Sequence, residues 1–515
     1  MDDDKAKEGE NQSIPTDKKP VEQRPTPIFQ AVPEEEHANP LPENFDMKPE
    51  EIGPELTTPQ DIHPPEPPPS FDGEPPHSEP SQFEQNRTKY LVIGAAAIFF
   101  VIILILILRF VFAGKQPEKV SLIYWGLWEE QEIMQPMIDQ YKKDNPTVEV
   151  QYQKMTPNDY KDKLIARSKS NQGPDIFRFH NTWIPELKEV VSPLPQSVMS
   201  NGEYERTFYK IHLKDLKIDD RYYGIPLSVD GLVLVYNDNL FKKAGITTAP
   251  TTWEDVLKYA PNLTVKDREG QIITSGIALG TTNNIEHFSD NFALFLVQNG
   301  GNIRKLDSGE AVGALQSYRS FAEPGAQQSW NETMPNSINA FIQEKVAMII
   351  VPSWEILTIQ KANPDLAIKV VPVPVLPGSR PISIASYWVE GVSKFSVHQN
   401  EAWKFLQYLS QKEQMTKLYE LQAKTRRFGF PYSRTDLASL LIADPYLGAV
   451  IKQAENDSFV SVPMISRTYD NGLNDDIIKY IENAINAAVQ GVAYQEAMQT
   501  AKQGVDQVFS RFQIE

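Results

Sequence analysis

The feature that most constrains this 515-residue chain is a run of 19 residues without a charged side chain, from Tyr90 to Leu108. A helix of about 20 apolar residues crosses the ~30 Å hydrocarbon core of a bilayer. Arg109 interrupts the apolar stretch near one end, where its long side chain can reach the membrane interface. The run is too long for the core of a signal peptide, and it begins far into the chain. The sequence therefore predicts one uncleaved transmembrane helix over residues 87–114, with 90–112 in the membrane.

Residues 1–86 precede this helix and differ from the rest of the chain in composition. They hold 18 of the 40 prolines and 21 Asp and Glu residues against 6 Lys and Arg residues, which gives −15 of the total net charge of −18. Such a segment buries too little apolar surface to offset the entropy lost on ordering, and its prolines keep it extended. The sequence predicts a disordered acidic tail that acts as a spacer, although a proline-binding module could also recognise Pro64–Pro69.

Two properties of the composition exclude classes of function. The net charge after residue 86 is only −3, so the folded part lacks the basic face that nucleic acid binding requires, and we expect no nucleic acid partner. The chain has no cysteine, which excludes disulfides, thiolate metal sites, a cysteine nucleophile and a lipidated cysteine. The sequence also lacks a metal motif, a nucleophile elbow and a phosphate loop, so we predict no catalytic residue, no metal and no other cofactor.

From about residue 118 to the C-terminus, the pattern is that of a globular domain in which strands and helices alternate. The predicted strands are Val120–Trp125, Val148–Gln153, Asp175–Phe179, Gly231–Asn237, Val346–Val351 and Ile368–Val375. The predicted helices are Glu129–Lys143, Asn158–Ser170, Thr252–Ala260, Glu401–Gln422 and Asp475–Gln490. Strands and helices that alternate over short connections predict an α/β fold with parallel sheets covered by helices.

Ligands of such sheets bind beyond the carboxyl ends of the strands. Two loops of this kind, 125–130 and 180–183, combine aromatic rings with polar side chains. Sugars offer apolar C–H faces and a rim of hydroxyl groups, so they suit ring stacking combined with carboxylate and amide hydrogen bonds. An ordinary core position is the alternative for each tryptophan, and we favour the core for Trp125 and the site for Trp128.

An ordered series of short segments runs through the domain. Its members are Leu122–Glu129, Met137–Val150, Gly173–Phe177, Tyr223–Leu227, Tyr236–Asn237, Leu240–Ile246, Pro250–Asp255, Ala340–Phe341, Glu344–Met348, Ser353–Trp354 and Glu401–Leu406. In this order and at this spacing they resemble extracellular solute-binding proteins of family 1, the maltose-binding-protein-like binding components of ABC importers. The resemblance implies that the domain is not an enzyme and that its partners are a small-molecule solute, a carbohydrate by class, and the subunits of an ABC permease.

The resemblance also implies two α/β lobes of a periplasmic-binding-protein-like fold, joined by a hinge, within a solute-binding domain over residues 118–515. The first lobe would comprise about 118–230 and 380–435, and the second about 237–375 and 436–515. Carried over by position, the ligand-binding residues would be Trp128, Glu129, Asn181, Trp183, Asp230, Trp354, Tyr387, Trp388 and Glu390.

For some other residues the sequence leaves both a site and a structural role open. Arg426 and Arg427 are polar contacts of the ligand or ordinary surface charges, and Asn283 and Asn284 are equally open. We expect two further tryptophans at core spacing in helices to be structural, namely Trp253 and Trp403.

Lysine and arginine flank the apolar run equally, with Arg87 and Lys89 before it and Lys115 and Lys119 after it, so the charge rule does not orient it. A domain that binds extracellular or periplasmic solutes places the N-terminal tail in the cytoplasm, on a single-pass membrane protein.

Two alternative functions remain. One is a sensor subunit that signals through the span to the tail. The other is a hydrolase that uses a pair of carboxylates among Glu129, Glu130, Glu355 and Glu390.

Overall fold

The structure is a computed structural model that describes residues 82–112 and 119–514, and the side chains of 89–105 and 119–514. The predicted tail lies outside these residues up to position 81, and positions 113 and 114 of the predicted anchor also lie outside them. Helix α1, Gln82–Phe112, contains the apolar run. Within the part of the chain that the structure describes, no helix is long and apolar enough to cross a membrane, and the predicted anchor is therefore not confirmed.

The remaining elements alternate along the domain. The strands are β1 Val120–Gly126, β2 Val148–Lys154, β3 Ile176–His180, β4 Lys217–Ile218, β5 Arg221–Tyr222, β6 Ile225–Pro226, β7 Leu232–Asn237, β8 Val265–Lys266, β9 Ile272–Ile277, β10 Val346–Pro352, β11 Ile368–Pro372, β12 Ser383–Ile384, β13 Trp388–Val392 and β14 Phe459–Val460. The helices are α2 Gln131–Asp144, α3 Tyr160–Lys169, α4 Ile184–Leu187, α5 Asn201–Thr207, α6 Lys210–Asp215, α7 Asp238–Lys243, α8 Trp253–Leu263, α9 Phe288–Gln298, α10 Gly309–Arg319, α11 Ser337–Ile342, α12 Glu355–Ala362, α13 Gln399–Leu409, α14 Lys412–Ala423, α15 Ala438–Leu441, α16 Gly448–Glu455, α17 Leu473–Val489 and α18 Tyr494–Arg511, with 3₁₀ turns at Asn181–Trp183 and Thr435–Leu437.

Two sheets organise the domain. The first has the strand order β2-β1-β3-β13-β6, and the second has the order β11-β7-β10-β9-β8. In the first sheet β1 is parallel to β2 and β3, while β13 is antiparallel to β3 and β6. In the second sheet β10 is parallel to β9 but antiparallel to β7, and β11 and β8 are also antiparallel to their neighbours.

The expectation of parallel sheets is thus wrong in part, because both sheets are mixed. The reason lies in the route of the chain. It leaves the first sheet after β6, builds the second sheet from β7 to β11, and returns to the first sheet as β13. The returning strand β13 pairs with β3 in the antiparallel direction, and in the second sheet β7 likewise runs against β10.

The apolar core follows this division. One cluster surrounds the first sheet and includes side chains of α2, α13 and α14, while another surrounds the second sheet and includes side chains of α8, α9, α17 and α18. A further cluster joins the two and contains Phe177 of β3 and Val233 of β7. We call the elements around each sheet the first and second lobe. The lobe boundaries given above stay a prediction.

Most predicted elements form close to their expected positions, but one long helix does not. The predicted helix Glu401–Gln422 is split into α13 and α14 at Ser410 and Gln411, where the backbone of Gln411 is extended. The Arg434 side chain donates a hydrogen bond to the Ser410 carbonyl at 3.0 Å, which satisfies a group that a continuous helix would bond internally. The predicted start of α8 is confirmed, since Thr252 and Asp255 form a reciprocal capping box.

Candidate ligand-binding site

A cavity of about 610 Å³ lies at the end of the first sheet where β1 and β3 finish, and residues of both lobes line it. This volume is within the range of small-molecule sites. The first lobe contributes Trp128, Glu129, Arg178, His180, Leu227, Tyr387, Trp388, Glu390 and residues of α14, and the second contributes Trp354, Leu357, Thr358, Lys361, Ser466, Arg467 and Tyr469. Ser228 and Asp230 line the cavity from the segment that connects the lobes, and Arg426, Phe430 and Tyr432 line it beyond α14.

Aromatic rings form one wall of the cavity. The ring of Trp388 meets that of Trp128 edge to face, with centroids 5.3 Å apart, and Tyr469 lies 6.1 Å from Trp128. Behind the wall, Trp388 also contacts the rings of His180 at 5.2 Å and Trp183 at 5.4 Å. Trp128 and Trp388 keep part of their surface open, so their rings can stack on an apolar face of a ligand.

A buried charged group forms the base of the cavity in the first lobe. The Arg178 guanidinium donates to Glu390 Oε1 at 2.6 Å and to Glu129 Oε2, and Gln422 Nε2 donates to the other Glu129 oxygen at 3.0 Å. Arg178, Glu129 and Glu390 are each at most 4% exposed. Burial raises the pKa of Glu390, and Arg178 opposes that shift. The cluster therefore holds β1, β3 and β13 together, and two of the predicted ligand carboxylates are engaged by one arginine.

Asp230 lies where the chain passes from the first lobe to the second. Its Oδ1 accepts hydrogen bonds from the backbone N–H groups of Gly231 at 2.6 Å and Ser353 at 3.1 Å. Burial raises its pKa to about 7, although these N–H groups favour the charged form. Since Ser353 precedes Trp354, this carboxyl also fixes the position of the second-lobe tryptophan.

Trp354 stands at the start of α12, and the His287 ring supports it edge to face at 5.5 Å. His287 Nδ1 is 2.7 Å from Ser466 Oγ, and its Nε2 is 3.6 Å from Glu355 Oε1. Both the imidazole and the Glu355 carboxyl are buried. The second-lobe wall is thus built on a buried histidine that connects α12 to the segment after β14.

The sequence left a role in the site open for two arginines, and the structure places only one of them in the cavity lining. Arg426 lines the cavity, with its guanidinium 4.0 Å from the Phe430 ring centroid and its Nε donating to the Phe428 carbonyl at 3.0 Å. Burial lowers the pKa of Arg426. Arg427 is exposed and lies outside the cavity lining, where it donates to the Tyr446 hydroxyl at 2.9 Å.

Asn181 and Trp183 were expected to face the cleft, and the structure places both behind the cavity lining. Beyond His180 the chain enters a 3₁₀ turn, and these two side chains do not line the cavity. The Asn181 amide donates to Asp215 Oδ2 at 3.0 Å and to Ser461 Oγ at 2.8 Å. Trp183 is fully buried against Tyr160 and Trp388. Both residues can position the wall but do not reach a ligand in this cavity.

Several other tryptophans and the asparagine pair also lie outside the cavity lining. The indole N–H groups of Trp125, Trp253 and Trp403 donate to Gln153, Gln298 and Ser192, respectively. Asn284 donates to the carbonyls of Asn331 and Met334, both at 2.9 Å. Each of these side chains therefore contributes to the interior of a lobe.

The sequence interpretation included His180 in a candidate loop but missed other parts of the lining, including Arg178, Gln422, Tyr432, Arg467 and Tyr469. One signal was available for Arg178, because a charged residue inside the apolar strand Ile176–His180 must find a buried partner.

Burial lowers the pKa of His180 to about 3, so its imidazole is neutral near pH 7. Among the described residues, no group of three or more His, Asp or Glu side chains could hold a metal ion.

Comparison with known proteins identifies the domain. A family model described as bacterial extracellular solute-binding protein matches residues 126–416. The multiple sugar-binding protein of Streptococcus mutans is 22% identical over 335 residues, which cover 60% of this chain and 75% of that protein.

Solved structures show the same fold. A cyclo/maltodextrin-binding protein complexed with maltotetraose is similar with a TM-score of 0.63 and 18% identity, over 77% of this chain and 99% of the other. An ABC substrate-binding protein from Listeria monocytogenes in complex with cycloalternan is similar with a TM-score of 0.58 and 20% identity, over 76% of this chain and 100% of the other. These identities are low, so the likeness establishes the fold alone.

Proposed function

Because the chain belongs to the bacterial extracellular solute-binding proteins, we propose that it captures a carbohydrate between its two lobes and delivers it to an ABC permease. The observation that carries this proposal is that aromatic rings of both lobes line one cavity, Trp128 and Trp388 on one side and Trp354 on the other. Rings on opposite sides can stack on a sugar while polar groups at the base bind its hydroxyls.

The charges of the cavity favour an uncharged ligand. Arg178 lies between Glu129 and Glu390, and Arg426 lies within electrostatic reach of Glu129. These four groups are formally neutral together, and Asp230 and Lys361 of the lining add one formal charge of each sign. Arg467 pairs with Glu286 beside the cavity. A sugar without a charged substituent would therefore enter without leaving an uncompensated buried charge.

The same cluster argues against a hydrolase. Retaining and inverting glycosidases need one carboxyl group as an acid and a second as a nucleophile or base. Glu129 and Glu390 both bind Arg178, so neither is free for such a role. Capture of a ligand by closure of the lobes needs no reacting group, because contacts made by both lobes favour the closed state.

A thermal-shift assay on the full chain in detergent tests the ligand class. The probes are maltotetraose, mannobiose, glycerol 3-phosphate and spermidine. A ligand at about one hundred times its Kd adds ~2.7 kcal/mol of stability, and we expect a sugar to raise the Tm by a few degrees. Trp354→Ala should reduce the shift, and Trp253→Ala, which alters a tryptophan outside the cavity, should retain it, each relative to the Tm of the same variant without ligand. Shifts confined to glycerol 3-phosphate or spermidine would reject the carbohydrate.

Delivery to a permease is supported by the family. Crosslinking in the native membrane, followed by capture of the tagged chain, tests it. We expect permease subunits with an ATP-binding partner to be captured, in an amount that changes when a ligand found in the thermal-shift assay is added. Capture of cytoplasmic signalling proteins through residues 1–86 would favour the sensor alternative.

We also propose that the uncharged run Tyr90–Leu108 tethers the domain to the membrane, with the N-terminus in the cytoplasm. Extraction of membranes at alkaline pH tests the tether. The parent chain should stay in the membrane pellet, and the double variant Ile98→Asp with Leu104→Asp should be released. A matched control changes two exposed apolar residues of the domain, Val397→Asp with Leu440→Asp, and should stay in the pellet. Release of the parent chain would reject the tether.

A further inference from the structure

Residues 466–474, which we call the clamp loop, follow β14, extend into the first turn of α17 and line part of the cavity. Ser466, Arg467 and Tyr469 of this loop face the ligand space. The sequence interpretation assigned no role to the loop.

The loop is attached to the second lobe at its first residues. The backbone N–H of Ser466 donates to Asp290 Oδ2 at 3.0 Å, and Ser466 Oγ lies 2.7 Å from His287 Nδ1. The next residue, Arg467, forms an ion pair with Glu286. At the end of the loop, Leu473 is buried in the apolar cluster of the second lobe.

Farther along, the same loop reaches the first lobe. Asn474 Nδ2 donates to Thr182 Oγ1 at 2.8 Å, and both residues are buried. Gly472 faces the buried ion pair of Lys161 and Glu186, so that a Cβ atom there would lie 2.7 Å from Lys161 Nζ and 2.6 Å from Glu186 Oε2. A methyl group at this approach to the first lobe would displace the ends of the Lys161 and Glu186 side chains or shift the loop.

The shape of the loop depends on these attachments. Arg467, Tyr469 and Asn471 have φ values of 59°, 57° and 47°, a left-handed region that residues other than glycine seldom adopt. Asp470 holds the turn by accepting from the backbone N–H of Gly472 at 3.0 Å and of Asn474 at 2.9 Å. Such strain persists where surrounding contacts hold it, and here those contacts come from both lobes.

We propose that the clamp loop fastens the second lobe onto the first across the ligand cavity, with Thr182 and Asn474 as its positioning residues. Thr182 lies beside the cavity-lining His180, whose Nδ1 is 2.8 Å from Thr182 Oγ1. Opening the lobes must break the contact between Thr182 and Asn474 and withdraw Gly472 from the Lys161–Glu186 pair. The loop thus controls how readily the cavity opens and how long a ligand is retained. This proposal rests on capture between two lobes, but it does not depend on which solute binds.

The distance between the lobes in the ligand-free full chain tests the proposal. Because the chain has no cysteine, Lys169→Cys in the first lobe and Lys345→Cys in the second can carry one spin label each, and both positions are exposed. Pulsed electron paramagnetic resonance then reports the distance distribution in detergent. Thr182→Val removes the hydroxyl while keeping the shape of the side chain, and Gly472→Ala crowds the contact between the loop and the ion pair. Each should raise the ratio of long to short distances, by about 2- to 10-fold for loss of one hydrogen bond.

Matched controls separate this effect from general destabilisation. Thr207→Val alters a threonine of the first lobe that is also 8% exposed, and Gly325→Ala places a methyl group in open space. Both should leave the distance distribution unchanged. If Thr182→Val and Gly472→Ala also leave it unchanged, the clamp is rejected. If they shift it while maltotetraose and mannobiose bind to no variant, the clamp stands and the proposed ligand class fails.

Discussion

The two walls of the cavity are built in different ways. The first-lobe wall rests on charges buried within one lobe, where Arg178 connects Glu129 and Glu390, and its Trp388 packs against Trp183 from behind. The second-lobe wall rests on Trp354 and on a loop whose contacts reach across to the first lobe. The first wall can therefore stay formed when the lobes separate, whereas opening must break part of the second.

The largest expected effect comes from breaking the first wall. Arg178→Met leaves two buried carboxylates without their common partner, and we expect a loss of about 3–5 kcal/mol in the free energy of unfolding, measured by urea denaturation of the full chain. Glu129→Gln and Glu390→Gln in the same chain should restore part of the loss. Arg206→Met, at an exposed arginine of the first lobe, should change stability by no more than about 0.5 kcal/mol. An equal loss in both arginine variants would contradict the central role of the cluster.

Two tryptophan variants, one in each wall, distinguish a role in ligand binding from a role in stability. Trp354→Ala should weaken ligand binding by about 1–3 kcal/mol, because it removes a stacking ring. Trp388→Ala should weaken binding and also lower the Tm of the ligand-free chain, because its ring packs against His180 and Trp183. Isothermal titration calorimetry and thermal melts measure the two effects. Equal melting temperatures for both variants would show that Trp388 has no greater structural role than Trp354.

Local patterns predicted much of the fold. The alternation of strand and helix located β1, α2, β2, α3 and β3 within a few residues, because each has its own hydrophobic period and its own stop signal. The mixed direction of the sheets was not predicted, because it depends on where β13 returns after the chain has built the second lobe. Such a pairing between distant segments leaves no local signal.

The sequence predicted part of the cavity lining. Trp128, Asp230 and Trp354 line the cavity, and their role in ligand binding stays a prediction. Arg178 was missed because its partner Glu390 lies 212 residues away along the chain. The clamp loop was missed because its shape depends on left-handed turns at residues other than glycine. The sequence shows neither a contact between residues so far apart nor a left-handed turn at a residue other than glycine.

A smaller effect on ligand affinity is expected for Arg426, which lines the cavity, and none for its neighbour Arg427, which does not. Arg426→Gln should weaken binding of a sugar by several-fold, because it removes a donor that lines the cavity and unbalances the charge near Glu129. Arg427→Gln, one residue away and outside the lining, should bind as the parent does. Titration calorimetry with the same sugar measures both. A larger loss for Arg427→Gln would place the ligand elsewhere.

The smallest expected effect is a pH dependence of stability and of ligand affinity that arises at Asp230, in the segment that connects the two lobes. Burial raises the pKa of Asp230 from 3.8 to about 7, so the folded state holds this proton more tightly than the unfolded chain. Its contribution to stability is therefore fully present below about pH 4 and is lost as the pH rises to about 7. If ligand hydroxyls donate to this carboxylate, binding favours the charged form, and affinity should rise a few-fold between pH 6 and pH 8. Asp230→Asn should remove that dependence of affinity. A persistent pH dependence in Asp230→Asn would mean that another group titrates with the ligand, and that the Asp230 carboxyl acts only by holding Ser353 and Trp354 in place.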